Sequence, residues 1–120
     1  MQVINIGLLG FGNIGLGVYE ILKNKCEELY KREGIRIKVK KILVRDISKK
    51  RSIDIDKSIL TDKITDIVED PDISLVAEFI GGEEPARQYI LTALKNKKTV
   101  VTANKELIAR HWTELESTAR

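Results

Sequence analysis

Apolar side chains along this chain fall into short continuous runs that are separated by stripes of helical spacing. Residues 3–9 form a nearly continuous apolar run, residues 35–44 are rich in β-branched side chains, and residues 75–80 and 99–102 repeat the pattern. Runs of this length are typical of parallel strands that helices cover on both faces. We therefore predict four such strands, and a short fifth strand at residues 59–61.

The segments between these strands carry apolar residues at steps of three and four, which is the spacing of an amphipathic helix. The first helix is predicted to begin at Asn13 and to end at Gly34, the second to be a brief one at residues 64–68, and the third to follow Pro85. A last helix runs from about Asn104 to the C-terminus. Its apolar positions are Leu107, Ile108, Trp112 and Leu115. This alternation predicts the α/β class, with a doubly wound parallel sheet.

A glycine-rich turn separates the first predicted strand from the first predicted helix. Its residues follow the pattern GxGxxG and are Gly10, Phe11, Gly12, Asn13, Ile14 and Gly15. In a dinucleotide-binding turn the first glycine permits a tight bend, the second lets the backbone approach a pyrophosphate, and the third allows close helix packing. Free amides at the helix start then attract the phosphates. A turn that serves helix packing alone is the alternative, but the motif's position favours a Rossmann-type fold that binds a dinucleotide.

The second strand ends at Arg45 and Asp46, where such folds read the adenosine ribose. Arg45 can pair with a 2′-phosphate, whereas Asp46 leaves room for a free ribose hydroxyl. The sequence therefore favours NADP as the cofactor and leaves NAD open, with a solvated Arg45 as the alternative. The basic residues that follow are expected to lie in solvent, and they are Lys49, Lys50 and Arg51.

Both C-terminal strands are followed by residues that suit a ligand. Gly81 lies at the carboxyl edge of the sheet, where a residue without a side chain lets a flat ring lie against the backbone; a simple turn is the alternative. Thr102 and Asn104 precede the last helix, and either of them can be its N-cap. Lys105 is the catalytic candidate. The helix dipole disfavours an ammonium in the first turn, so a lysine at this position is expected to have a role. It can act in acid–base chemistry or anchor a hydroxyl or carbonyl oxygen, and an exposed lysine without a role is the alternative.

The chain offers few groups for other chemistry. Its only histidine, His111, has no carboxylate partner in an obvious relation, and we interpret it as a surface or packing residue. One histidine and one cysteine do not form a cluster with the spacing of a metal site, so we expect no metal.

Length and charge bound the class of protein. The 120 residues suffice for one domain, so we expect residues 1–120 to form a single dinucleotide-binding domain. No apolar run approaches the roughly 18 residues of a membrane span, and the N-terminus has no signal-peptide pattern, which favours the cytoplasm. The net charge of +3 is spread along the chain and is explained by a phosphate-bearing cofactor, so we expect no nucleic-acid partner.

With these residues in hand, the chain resembles the N-terminal NAD(P)-binding domain of the homoserine dehydrogenases. The resemblance rests on residues 7–15, 44–46, 70–73, 78–85 and, above all, 100–105. It implies an enzyme that interconverts L-homoserine and L-aspartate 4-semialdehyde by hydride transfer, a step toward threonine and methionine.

The resemblance also implies roles for single residues. The backbone of residues 11–14 would hold pyrophosphate, Arg45 the adenosine ribose or its phosphate, and Gly81 the nicotinamide region. Thr102 and Asn104 would lie near the nicotinamide ribose, and Lys105 would lie near the reacting oxygen.

In the family, the carboxylates that bind the substrate and a further lysine lie in a second domain, which residues 1–120 do not include. This domain alone is therefore expected to be inactive. The family dimerises through parts that are absent here, which leaves a homo-oligomer open. Two alternatives remain: a sensor module that binds NAD(P) without catalysis, and a related dehydrogenase acting on another amino-acid-derived aldehyde. A sensor has no need of Lys105 at the nicotinamide end.

Overall fold

The sheet of this protein has five strands. A computed structural model describes residues 2–51 and 55–120. The strands are β1 (Gln2–Leu9), β2 (Ile35–Leu43), β3 (Leu60–Thr61), β4 (Ile73–Glu78) and β5 (Thr99–Thr102). They are all parallel and lie in the order β3-β2-β1-β4-β5. The predicted α/β class and parallel sheet are confirmed.

Helices cover the sheet on both faces. They are α1 (Asn13–Glu33), α2 (Thr65–Val68), α3 (Ala86–Lys95) and α4 (Lys105–Ala119). Helix α1 packs on one face through Tyr19 and Leu22, whereas Ile67 of α2 and Ala93 of α3 pack on the other. The sheet is therefore doubly wound, as predicted. Within the described residues, no helix has both the length and the hydropathy that a membrane span requires.

The central strands are buried on both sides. Successive strand residues point to opposite faces, so Leu8 lies in the core beneath α1 while Leu9 lies in the core beneath α2 and α3. Ile42 lies in the same core as Leu8, and Val76 lies in the same core as Leu9. All four side chains have no solvent exposure. Burial of each such side chain contributes about 1.5–3 kcal/mol. The continuous apolar runs of the sequence therefore correspond to central parallel strands.

Helix α4 is held against α3. Leu107 and Leu115 are buried in a cluster with residues of α3, and Arg87 of α3 donates two hydrogen bonds of 2.7 Å to the carboxylate of Glu114. Trp112, which we expected on this apolar stripe, is 60% exposed. Helix α4 is kinked at His111, where φ is −124° and ψ is 25°, so the regular spacing that placed Trp112 on the stripe of Leu107 is interrupted directly before it. The packing fixes the first turn of α4 beside the end of β5.

Strand β4 is displaced from its predicted position. We predicted a strand at residues 75–80, and β4 instead begins and ends two residues earlier. It begins at Ile73, which is 1% exposed. It ends at Glu78, whose carboxylate accepts hydrogen bonds from the backbone amides of Ile80 and Gly81 and so turns the chain away from the sheet. The last two residues of the predicted strand therefore lie beyond β4, although the amide of Phe79 still donates to the carbonyl oxygen of Leu9 at 2.8 Å.

Candidate functional site

A cleft of about 530 Å³ opens at the carboxyl ends of the strands. In a doubly wound sheet this edge is where ligands bind, and the volume is in the usual range for a ligand pocket. The cleft is lined by the glycine turn, by the segments that follow β2, β3 and β4, and by the start of α3. The lining residues are Gly10, Phe11, Gly12, Leu43, Val44, Arg45, Asp46, Lys49, Arg51, Asp62, Phe79, Ile80, Pro85 and Tyr89.

The glycine turn is bent sharply against the neighbouring strands. Gly10 adopts φ of +96°, which L side chains rarely adopt, and a Cβ there would lie 3.1 Å from Cγ1 of Ile80. Its amide donates to the carbonyl oxygen of Leu43 at 3.0 Å. A Cβ on Gly15 would collide with the carbonyl oxygen of Gly10. Both positions therefore require glycine, so that α1 can start directly behind the turn.

The start of α1 presents backbone amides that have no partner within the described residues. Its first helical hydrogen bond runs from the amide of Leu16 to the carbonyl oxygen of Gly12 at 2.9 Å. The amides of Asn13, Ile14 and Gly15 precede it, and no side chain of the described residues caps them. A Cβ built on Gly12 would meet no heavy atom within 4 Å. This end of α1 can therefore take an anion that approaches the backbone closely.

The loop after β2 brings positive charge to the same cleft. Arg45 is exposed, lines the cleft, and has no acceptor among the described residues. Beside it, Asp46 accepts hydrogen bonds from the hydroxyl and the amide of Ser48, at 2.6 and 2.9 Å. These bonds, helped by the charge of Arg51, lower the pKa of the Asp46 carboxyl. A cation and an ionised carboxylate thus lie side by side at the end of β2.

One of the loop residues that we expected in solvent is instead packed against its own loop. Arg51 is half-buried: its guanidinium donates to the carbonyl oxygens of Asp46 at 2.9 Å and Lys49 at 2.8 Å, and it lies 6.0 Å from the ring centre of Phe11. Lys49 is exposed but lines the cleft, while Lys50 is exposed as predicted. The expectation for Arg51 was wrong because a guanidinium can satisfy the carbonyls of its own loop. The cleft therefore has three basic residues against two acidic ones.

The remaining predicted site residues lie beside this cleft rather than in its lining. Thr102 is the last residue of β5, next to the end of β4, and Lys105 begins α4. Asn104 caps α4, since its side-chain oxygen accepts from the amide of Leu107 at 3.1 Å, while its side-chain nitrogen donates to the carbonyl oxygen of Gly82 at 2.5 Å. Lys105 is exposed and has no ion pair with any described residue. One hydrogen-bonded group therefore joins the turn after β4 to the start of α4.

His111 has a carboxylate partner that the local spacing of the sequence did not indicate. Its Nε2 lies 3.3 Å from Oε2 of Glu83, a residue of the turn after β4. The hydrogen bond from His111, followed by that from Arg110, lowers the pKa of the Glu83 carboxyl. The two residues are 28 positions apart in the chain and meet only because α4 packs beside that turn. His111 and Arg110 thereby add a second tie between α4 and the turn.

Several residues of the cleft escaped the sequence analysis. Phe79 and Ile80 were assigned to a strand, and Asp62, Pro85 and Tyr89 were not considered as site residues. The sequence carries a signal for Phe79, Ile80 and Asp62, because the residues that directly follow parallel strands collect at one edge of the sheet. Pro85 directly precedes α3 and Tyr89 lies in it. The position of this helix depends on tertiary packing, and no local pattern indicates the two residues as part of a site.

A doubly wound parallel sheet, with a glycine turn and bare helix amides at the first strand end, defines a dinucleotide-binding domain of the Rossmann type. The family model for the NAD-binding domain of homoserine dehydrogenase matches residues 10–120. The chain belongs to this family, whose cofactor is a nicotinamide dinucleotide.

Named relatives agree with this assignment over nearly the whole chain. Homoserine dehydrogenase of Bacillus subtilis is 43% identical over 120 residues, which is 100% of this chain and 28% of the relative. The Corynebacterium glutamicum enzyme is 41% identical over 98% of this chain and 26% of its own length. The chain thus spans little more than a quarter of the length of these relatives.

Solved structures give the same result. The crystal structure of Staphylococcus aureus homoserine dehydrogenase at pH 8.5 is 42% identical, with a TM-score of 0.91 over 99% of this chain and 30% of that one. A hyperthermophilic archaeal homoserine dehydrogenase in complex with NADPH is 23% identical over 98% of this chain and 41% of that one, with a TM-score of 0.72, and shows the shared fold.

Proposed function

We propose that this chain is the cofactor domain of a homoserine dehydrogenase and that it binds NADP(H) in the cleft at the end of β1. The observation that carries the proposal is the start of α1, where three amides without a partner among the described residues stand beside the open backbone of Gly12. A diphosphate would accept hydrogen bonds from these amides, and the helix dipole would favour its charge. The backbone of residues 10–15 is the proposed pyrophosphate site, with Phe11 in its wall.

The charges at the end of β2 support NADP as the preferred cofactor. Arg45, which has no acceptor among residues 2–51 and 55–120, can pair with a 2′-phosphate, and Lys49 and Arg51 add positive charge along the same cleft. Asp46 opposes a phosphate, but one of its oxygens is already bonded to Ser48. Three basic residues against Asp46 and Asp62 leave a net positive lining.

The second half of the cofactor would extend toward the ends of β4 and β5. We propose that Gly81 lies against the nicotinamide region, that Thr102 and Asn104 lie near its ribose, and that Lys105 reaches the reacting oxygen. When bound, the nicotinamide supplies the acceptor or donor of the hydride. Lys105 would hold the substrate oxygen, which suits an exposed ammonium without an ion pair among the described residues.

The proposed reaction is the interconversion of L-homoserine and L-aspartate 4-semialdehyde, carried out by a longer protein. The relatives extend well beyond the matched region, which leaves room for a substrate-binding domain. Residues 1–120 would supply the cofactor site and Lys105, and the second domain would supply the groups that bind the substrate's carboxylate. On this proposal the 120-residue chain binds the cofactor but does not catalyse turnover.

Removal of Arg45 tests the choice of cofactor. We expect NADPH to bind the chain more tightly than NADH, and Arg45→Ala to raise the dissociation constant of NADPH about tenfold, the usual effect of losing one hydrogen bond to a charged group. The NADH constant should change less than about twofold, because NADH has no 2′-phosphate for Arg45 to bind. Isothermal titration of both variants with both nucleotides measures this.

Lys50→Ala is the matched control for this titration. Lys50 lies in the same loop and carries the same charge, but it does not line the cleft, so its loss should change neither constant by more than about twofold at physiological salt. A tenfold preference of the unmutated chain for NADH would contradict the assignment of Arg45. Failure of the chain to bind either nucleotide would remove the proposed function itself.

A further inference from the structure

A carboxylate without solvent exposure lies at the end of β4. Glu78 is 0% exposed, and a buried polar group of this kind is stable only if it is hydrogen-bonded. Its Oε2 accepts from the amide of Ile80 at 2.7 Å and from the amide of Gly81 at 3.1 Å. Its Oε1 accepts from the hydroxyl of Thr102. The two oxygens of one side chain therefore hold two different segments, the turn after β4 and the end of β5.

The hydrogen bonds continue from Thr102 to the start of α4. The hydroxyl oxygen of Thr102 accepts from the amide of Asn104 at 3.0 Å. Asn104 in turn donates to the carbonyl oxygen of Gly82 and caps α4 at Leu107. The network thus runs from Glu78 through the end of β5 to the helix turn that carries Lys105.

The turn that Glu78 holds would otherwise be loose. Gly81 and Gly82 both adopt positive φ, at 80° and 70°, and glycine loses more conformational freedom on ordering than any other residue. Within the described residues, Asn104 and Glu78 are the side chains that bind polar atoms of Gly81 or Gly82. Without the Glu78 carboxylate, Gly81 loses the hydrogen bond that orients its amide.

We propose that Glu78 is a positioning residue for the nicotinamide end of the cofactor, setting the backbone of Gly81 and the side chain of Thr102 in one fixed relation to Lys105. The inference rests on the proposed function, because it concerns the same site. Glu78 itself is buried and is not proposed to touch the cofactor. Its effect passes through the residues that it holds.

The hydrogen bonds of Glu78 predict a larger effect on the nicotinamide half of the cofactor than on the adenosine half. The adenosine end is assigned to the start of α1 and to Arg45, and neither forms a hydrogen bond with Glu78. A residue that merely stabilised the fold would weaken both halves equally when it was replaced. A positioning residue would weaken mainly the contacts of the nicotinamide and its ribose.

The test uses Glu78→Gln and two ligands, NADPH and 2′-phospho-ADP, which lacks both the nicotinamide and its ribose. Glutamine replaces one carboxylate oxygen by an NH2 group, which donates and does not accept, so either the turn amides or the Thr102 hydroxyl lose their acceptor and the side chain loses its charge. We expect the dissociation constant of NADPH to rise about tenfold and that of 2′-phospho-ADP to change less than about twofold. Glu69→Gln, at an exposed glutamate at the end of α2, is the matched control and should bind both ligands as the unmutated chain does.

Melting temperatures show that each variant is folded, and Glu78→Asp, which keeps a shorter carboxylate, provides a second variant with the same expected selectivity. An equal loss for both ligands, or no loss for either, overturns the inference. If the unmutated chain binds NADPH no better than 2′-phospho-ADP, the nicotinamide and its ribose make no contact for Glu78 to position, and the inference is likewise overturned. If the unmutated chain binds neither ligand, the proposed function fails and the inference fails with it.

Discussion

Gly12→Ala should abolish most of the affinity for NADPH while leaving the fold intact. The backbone of Gly12 lies at φ −78° and ψ −159°, which alanine adopts readily, and its Cβ would meet no heavy atom of the protein within 4 Å. The methyl group would, however, occupy the space through which a diphosphate approaches the amides of α1. Loss of about two charge-assisted hydrogen bonds corresponds to a dissociation constant roughly 100-fold higher. The melting temperature should change by less than about 5 °C.

The same helix offers the control. Gly17 lies in α1 beyond its first turn, and a Cβ there also meets nothing within 4 Å. Gly17→Ala should therefore bind NADPH normally, and it should raise stability by up to about 1 kcal/mol because alanine is the better helix former. Titration and thermal unfolding of both variants make the comparison. Equal affinity of the two variants would mean that the turn does not hold the diphosphate.

Lys105→Ala should remove most of the catalytic rate of the complete enzyme. The measurement requires a protein with both domains, such as a chimera of these 120 residues with the rest of the Bacillus subtilis relative. We expect the kcat of homoserine oxidation to fall about 100-fold or more, the usual contribution of a group that handles a proton or a developing charge. The KM for NADP should change little, because the cofactor's phosphates are held elsewhere.

Lys95→Ala is the control for that chimera. Lys95 is also an exposed lysine at a helix end, but it lies in the last turn of α3, at the opposite edge of the sheet. Its removal should leave kcat within about twofold of the unmutated value, since exposed charges at this distance are screened. An unchanged rate in Lys105→Ala would end the catalytic role proposed for that residue.

The sequence predicted the architecture well because the architecture depends on local patterns. Residues such as Leu8 and Leu9 are buried on opposite faces of one sheet, and a continuous apolar run is the direct result. The sharp turn at Gly10 and the close approach at Gly15 likewise require particular residues at particular positions. These requirements can be read from the sequence without knowledge of the tertiary structure.

The errors arose where one residue type serves two purposes. Phe79 and Ile80 are apolar and extend a strand pattern, yet they line the cleft, because apolar side chains suit a cofactor pocket as well as a core. Trp112 has the chemistry of a core residue and lies exposed.

The remaining features depend on contacts between distant segments. The pairing of His111 with Glu83 spans 28 residues, and the bond between Thr102 and Glu78 spans 24. Local spacing carries no signal for such pairs. The role of Glu78 could therefore emerge only once β4 and β5 were seen side by side.

The measurement that tests the central claim most directly is an NMR titration of the ¹⁵N-labelled chain with NADPH. The account predicts that the backbone amides of Asn13, Ile14 and Gly15 show the largest shifts, because they gain hydrogen bonds to the diphosphate. Binding of NADPH with these three amides unchanged, and with the shifts concentrated elsewhere on the molecule, would contradict it.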